Sequence, residues 1–511
     1  MNIQSFLEHH GIVRNPFAEE DAQTDQVFKQ YCISSAYHPI WDKVYGDPKE
    51  PSTSIIFGPK GSGKTAMRLQ IDRHLSRYND EHPSERLFVI RYDDFNPFLD
   101  HFCERLGRRT ARKPERVLDA WRLWDHMDSI LCLGVTDLID RILTADQGAS
   151  AESISKQRVH GLDRAAARDL LLLASSYDQS TSSTFIARWT ELRRDLGYRN
   201  FASKISLIAA IAAAIFSVLL VFLLYTGNWG ASDGEETANV SRMTLLLIPV
   251  ITLVGSAPWL WRTFKCHLAA LGIRRHMRVG KRETGSLRKI LQQFPSKELA
   301  NQPLPRYDRT DDRYELLNKF KAILEALGFS GIIVLMDRVD DPHMSGGKPE
   351  LMRRFVWPLL DNKLLKHPGV GFKIMLPQEL HRDIDRETRE FHERARLDKQ
   401  NVISAFQWTG ESLYDLARAR MLACAAEGAS PEPKDLFSQE VSYERMLSAF
   451  QSLRVPRHLF RFLFRVQVEH CTRHTDAQPA FKIGGETFES TLAVYARESE
   501  IGNHCSFRGP S

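Results

Sequence analysis

No two cysteines in this chain are spaced as CxxC; Cys32, Cys103, Cys132, Cys266, Cys424, Cys471 and Cys505 lie far apart. That scatter offers neither the ligand spacing of a zinc site nor a disulfide framework, and it fits a reducing compartment. A large excess of charge of one sign is also lacking. A formal net charge of +5 over 511 residues is too mild to mark a nucleic-acid binder, whose basic residues should cluster on one face. Low-complexity tracts and internal repeats are missing, and 43% hydrophobic residues suffice for large cores, so wholesale disorder is not indicated. The length leaves room for about three ordinary domains. The opening stretch, Met1 to Phe17, lacks the basic-then-apolar order of a secretory signal.

What is present begins with glycine. The apolar run Ile55-Ile56-Phe57 reads as a buried strand, and Gly58-Pro59-Lys60-Gly61-Ser62-Gly63-Lys64-Thr65 follows it at once. Residues 66 to 75 then show apolar side chains at helical spacing. Strand, GxxxxGK[ST] and helix in that order are the context of a phosphate-binding loop. Gly58, Gly61 and Gly63 allow the backbone to wrap close to phosphate with its N–H groups turned inward. Lys64 is expected to bridge the β- and γ-phosphates and Thr65 to ligate Mg²⁺, with the helix N-terminus adding partial positive charge.

A second apolar run, Gly331 to Met336, ends in Asp337-Arg338-Val339-Asp340-Asp341. A carboxylate at the tip of such a strand holds Mg²⁺ in nucleotide hydrolases. Asp337 is the expected metal-side carboxylate, with Asp340 and Asp341 the candidates for polarising the attacking water. Val370 to Leu376 reads as a further strand. At its tip Gln378 is the candidate sensor of the γ-phosphate, and a helix-capping turn is the alternative reading of that residue. Closer to the C-terminus, Val455-Pro456-Arg457 opens a helix with proline at its start; Arg457, and after it Arg454, could reach the phosphates from a helical lid. From spacing alone, a solvated basic face explains these arginines as well.

Between the two halves of this site lie Ile205 to Tyr225, 21 residues without a charge, and Met243 to Trp261, 19 without a charge. At helical rise the longer spans roughly 30 Å, the thickness of a hydrocarbon core. Trp229, Trp259 and Trp261 stand at or near the ends. Two transmembrane helices are therefore expected. Arg193, Arg194, Arg199 and Lys204 precede them, and Arg262, Lys265, Arg274, Arg275, Arg278, Lys281 and Arg282 follow. The connection carries Asp233, Glu235 and Glu236 against Arg242. This bias places the nucleotide segments and both termini in the cytoplasm and the connection outside, with the basic stretch on anionic head groups. Nucleic acid is the less favoured partner for it, because its juxtamembrane position already accounts for the charge.

The expected organisation is a helical segment at 1–50, with Asn15-Pro16-Phe17, packing on the nucleotide face. The first part of the nucleotide domain follows at 51–150, with Leu87 to Tyr92 a second strand and Arg116 to Leu143 helical. A helical insertion occupies 151–310; it holds the helix Leu162 to Tyr177, the polar connector Ser175 to Ser183 and the two apolar runs. The rest of the nucleotide domain spans 311–400, and a helical lid 401–511. The fold class is α/β, a doubly wound, mostly parallel sheet of the P-loop NTPase kind with an inserted two-helix hairpin and a C-terminal helical lid.

These features together resemble the KAP group of P-loop NTPases, in the broader STAND and AAA-like lineage. Asp94-Phe95-Asn96-Pro97-Phe98 is similar to that group's aromatic-asparagine motif. Trp408 to Leu413, leading to Arg418 and Arg420, resembles the start of a lid in related bacterial ATPases, and Val455-Pro456-Arg457 is similar to their sensor-arginine motif. The chain departs from the DDLDR pattern of the group at Asp337 to Asp341, and no glutamate follows Asp337 directly. The resemblance implies an ATPase requiring Mg²⁺ that acts as a signalling or assembly switch at a bacterial inner membrane, through self-association or a protein partner, with phage defence a setting; the missing glutamate points to slow turnover. A DNA-stimulated, origin-binding-like ATPase and an oligomeric transport or pore-forming ATPase are the alternatives.

Overall fold

A computed structural model describes residues 1–144, 154–200, 202–227, 235–360, 363–395, 397 and 401–505. It divides into two compact units, Met1–Phe95 with Ser330–Ser511, and Asn96–Phe329.

The first unit is α/β. Its five strands are β1 (Ser54–Gly58), β2 (Arg86–Tyr92), β3 (Phe329–Met336), β4 (Val370–Pro377) and β5 (Val402–Ile403), in the order β2-β3-β4-β1-β5. Every residue of β1 and β4 is buried, as near-continuous apolar runs require when both faces of a parallel sheet are covered. β3 with β4, β4 with β1, and β1 with β5 are parallel, in a register that sets Val334 against Phe372 and Ile55 against Ile374. The mostly parallel, helix-covered sheet agrees with a doubly wound architecture. Parallel pairing brings the carboxyl ends of β1, β3 and β4 to one edge, where open α/β sheets bind ligands. The helix Lys64–Glu81 buries Met67, Ile71 and Leu75 in one core with Leu413, Phe450, Leu459 and Phe462 from the C-terminal helices Gly410–Ala423, Tyr443–Leu453 and Pro456–Arg473.

The second unit is helical, and its mostly apolar interior holds several buried ion pairs. Arg313, fully buried on the helix Thr310–Ala326, sets Nη2 3.0 Å from Asp128 Oδ2, and the Tyr177 hydroxyl donates to Asp128 Oδ1 at 2.8 Å. Arg278 holds Asp125 at 2.6 Å, and Arg188 holds Asp178 at 3.0 Å. Burial pushes the Asp125 carboxyl up to about 7 against the pull of Arg278. Arg116 to Leu143 is not one helix but two, Pro114–Ala120 and Leu123–Leu143, because Asp125 accepts a hydrogen bond from the Arg122 N–H at 2.9 Å and starts the second. Ser175 and Ser176 are not part of an open connector; they are buried at the end of the helix Arg164–Tyr177.

Two membrane spans are not supported. Among the described residues, one helix alone, through its window Ile205–Phe222, is long and apolar enough to cross a bilayer. That window belongs to the helix Ala202–Gly227. The second run lies in the helix Glu235–His276, and its side chains at 243–249 fall outside the described residues, as does the connection around Asp233. The two helices touch through small residues: Ser217 Oγ lies 2.7 Å from Thr252 Oγ1, and a Cβ on Gly255 would collide with that of Ala213. A multi-pass placement with both termini cytoplasmic is therefore not supported. The basic stretch read as lying on head groups is also partly internal. Arg282 is buried and donates to the Ser175 carbonyl at 3.1 Å, Arg278 pairs with Asp125, and Arg262 donates to the Phe294 carbonyl at 2.7 Å. Charge counted along the sequence overstated what solvent or lipid could meet.

Candidate functional site

A cavity of about 370 Å³ opens in the first unit between the glycine-rich turn after β1, the acidic turn after β3, the N-terminal segment and the C-terminal helices. Gly61 (φ +85°) and Gly63 (φ +97°) occupy the left-handed region that suits glycine. Space is short as well. A Cβ on Gly58 would lie 2.7 Å from Ser62 Oγ, and one on Gly61 would lie 2.7 Å from Arg457 Cβ. The helix Lys64–Glu81 starts directly from this turn, so Lys64 and Thr65 stand at its N-terminus on the cavity wall.

Lys64 turns back along the loop and donates to the carbonyls of Gly58 at 2.7 Å and Pro59 at 3.0 Å. Burial lowers its pKa, while Asp337 and Asp340 pull the other way. Asp337 is 2% exposed. Burial raises its pKa, and the adjacent Thr65 hydroxyl and Arg68 guanidinium oppose that rise. Its Oδ2 atom is buried without a hydrogen-bond partner, an uncommon state that calls for an explanation.

The other expected residues divide. Asp340 and Asp341 line the cavity beside Asp337, but Asp341 is exposed and held by an ion pair to Arg338. Arg338 itself adopts φ +61° and turns the chain sharply after Asp337. Arg457 lines the cavity, and its Nε is 3.7 Å from Glu20 and without a hydrogen-bond partner. Lys60 also lines it, whereas Pro59 and the fully buried Ser62 do not. Gln378 lies behind the loop: its N–H donates to the Gly58 carbonyl at 3.1 Å and its Nε2 to the Ser404 carbonyl at 2.8 Å, away from the cavity wall. Arg454 is exposed and caps the preceding helix at φ +64°.

Several lining residues carry little signal in the sequence. Glu20, Asp21 and Asp25 come from the N-terminal segment that was expected on this face. Asp25 is buried in an ion pair with Arg420 at 2.6 Å, and Arg420 also donates to the Pro16 carbonyl at 2.7 Å and lies over the Phe460 ring. Arg420 thus ties the segment to the C-terminal helices. His38 stacks on Phe406 at 4.2 Å and meets Trp408 edge-on at 4.6 Å. Trp408 in turn donates to the Ser62 carbonyl at 2.8 Å. Phe406 and Trp408 therefore pack against the glycine-rich turn itself, where a Cβ on Gly63 would lie 3.7 Å from the Phe406 ring and 3.8 Å from the Trp408 ring.

Among the described residues no three His, Cys, Asp or Glu side chains cluster as a metal cage. A magnesium ion does not need one, since it keeps most of its water and takes one or two protein ligands. Compared with protein-family models, with curated proteins and with solved structures, the chain matches none.

Proposed function

We propose that this chain is a P-loop nucleoside triphosphatase that binds Mg·ATP in the cavity after β1 and uses it as a slow switch. The observation that carries the reading is the convergence on one cavity of the glycine-rich turn, Lys64, Thr65 and the buried carboxylate residue Asp337. The residues suit the groups they would hold. The glycines leave room where any Cβ would intrude, as a backbone cradle for phosphates requires. Lys64 is a cation whose loop-carbonyl bonds a phosphate can replace. Thr65 and Asp337 would hold Mg²⁺, which neutralises phosphate charge when bound.

No glutamate follows Asp337, and Asp341 is engaged by Arg338, leaving Asp340 the stronger candidate for orienting water. That arrangement favours slow hydrolysis and a switch whose output passes to another copy or a protein partner. The test is binding of a fluorescent ATP analogue, with and without Mg²⁺, to the full chain and to Lys64→Ala. Wild-type binding that depends on Mg²⁺ and falls more than about tenfold in the variant is the expected result. Undiminished affinity in a folded Lys64→Ala protein would overturn the assignment.

A further inference from the structure

We infer that Arg68 is a positioning residue for the Asp337 carboxylate, an inference that rests on the nucleotide reading above. Arg68 lies one turn beyond Lys64 on the helix Lys64–Glu81, while Asp93 and Asp337 follow the ends of the adjacent strands β2 and β3. Its side chain is almost wholly buried and is not on the cavity wall. Nη1 lies 3.0 Å from Asp93 Oδ2, and Nε lies 3.5 Å from Asp337 Oδ2. The second approach is an ion pair without a hydrogen bond, for both Nε and Oδ2 lack one. Arg68 therefore attracts the carboxylate from the Oδ2 side, adding to the hydrogen bonds from the Thr65 hydroxyl and the Arg338 backbone, and leaves Oδ2 without a hydrogen bond.

Asp93 completes the device. Taken with their formal charges, Asp93, Arg68 and Asp337 sum to minus one, so a divalent cation still meets net negative charge. A guanidinium without Asp93 would oppose that cation at short range in buried surroundings, where charges are poorly screened. Without Arg68, two carboxylates would lose the cation they share, and Asp337 would be held by Thr65 and the Arg338 backbone alone. Partners standing behind a metal ligand in this way commonly set metal affinity by about ten- to a hundredfold.

The experiment is a Mg²⁺ titration of fluorescent ATP-analogue binding to the full chain, with a parallel measurement in EDTA, for wild type, Arg68→Met and Arg68→Lys. Arg68→Met is expected to keep its EDTA affinity within about twofold while requiring about tenfold more Mg²⁺, and Arg68→Lys to recover part of that shift. A Mg²⁺ curve for Arg68→Met that superimposes on wild type overturns the inference. So does an equal loss of affinity in EDTA and in Mg²⁺, which marks a packing role alone. Asp93→Asn, which keeps shape and the arginine, is expected to raise the Mg²⁺ requirement too, and it serves where Arg68→Met does not fold; an unchanged requirement counts against the inference. Wild-type protein that binds no nucleotide removes the nucleotide reading itself and this inference with it.

Discussion

The backbone N–H of Arg457 donates to the carbonyl of Gly61 at 3.3 Å, and the two residues are so close that a Cβ on Gly61 would lie 2.7 Å from the Cβ of Arg457. The start of the helix Pro456–Arg473 is thus seated directly on the glycine-rich turn. Arg457 reaches the cavity because Gly61 has no side chain. Gly61→Ala meets two costs together: φ +85° is unfavourable for alanine, and the new methyl group meets a Cβ beside the helix backbone, which cannot swing away as a side-chain tip could.

The expected outcome for Gly61→Ala is a stability loss of about 1–3 kcal/mol with weakened nucleotide binding. Urea unfolding and analogue titration measure the two effects. A variant as stable as wild type would show that the helix is not seated on the turn in solution.

Much of the first unit could be anticipated because its signals are local. Ile55 to Phe57, Leu87 to Tyr92, Gly331 to Met336 and Val370 to Leu376 are apolar runs of strand length, and each lies in a strand. The two-residue β5 has too little sequence to announce itself. Gln378 stands at a strand tip in the sequence, yet its amide donates to the Ser404 carbonyl; the choice of rotamer is tertiary information. Nothing in the sequence singles out Arg68 on its helix, because Asp93 and Asp337 are distant in sequence. The same blindness affected the basic stretch after Trp261. Arg278 and Arg282 look solvent-facing until Asp125 and the Ser175 carbonyl are brought to them by folding.

Glu20 faces two arginines at the cavity edge. It pairs with Arg461 through both oxygens and stands 3.7 Å from Arg457 Nε. A carboxylate there competes for the cations that a phosphate would draw and adds repulsion of like sign. Glu20 is partly exposed, so the pair is worth at most about 1 kcal/mol. Glu20→Gln should therefore tighten Mg·ATP binding by up to about fivefold, more clearly at low salt because exposed charges are screened. Titrations of both proteins at two ionic strengths provide the check. Weaker binding in the variant would mean that Glu20 orients the arginines instead of competing for them.

Lys373 is the least expected residue of the sheet. It lies within β4, is 2% exposed, and faces no carboxylate in an ion pair among the described residues. Its ammonium donates to the Val44 carbonyl at 2.8 Å and to Ser52 Oγ at 3.3 Å. Burial lowers its pKa from 10.5 to about 7. In the window between those values the unfolded chain holds a proton that the folded chain does not, so stability rises with pH across it. The penalty is full below about pH 7 and gone above the unfolded value. Lys373→Met keeps the length of the side chain and removes the charge. The Val44 carbonyl retains a bond from Ser54 Oγ at 3.1 Å, and so is not stranded by the change. The variant should melt higher than wild type at pH 7, and the gap should narrow steadily toward pH 10. Thermal unfolding at several pH values measures it, and a gap that does not change with pH would place the Lys373 proton outside the folding equilibrium.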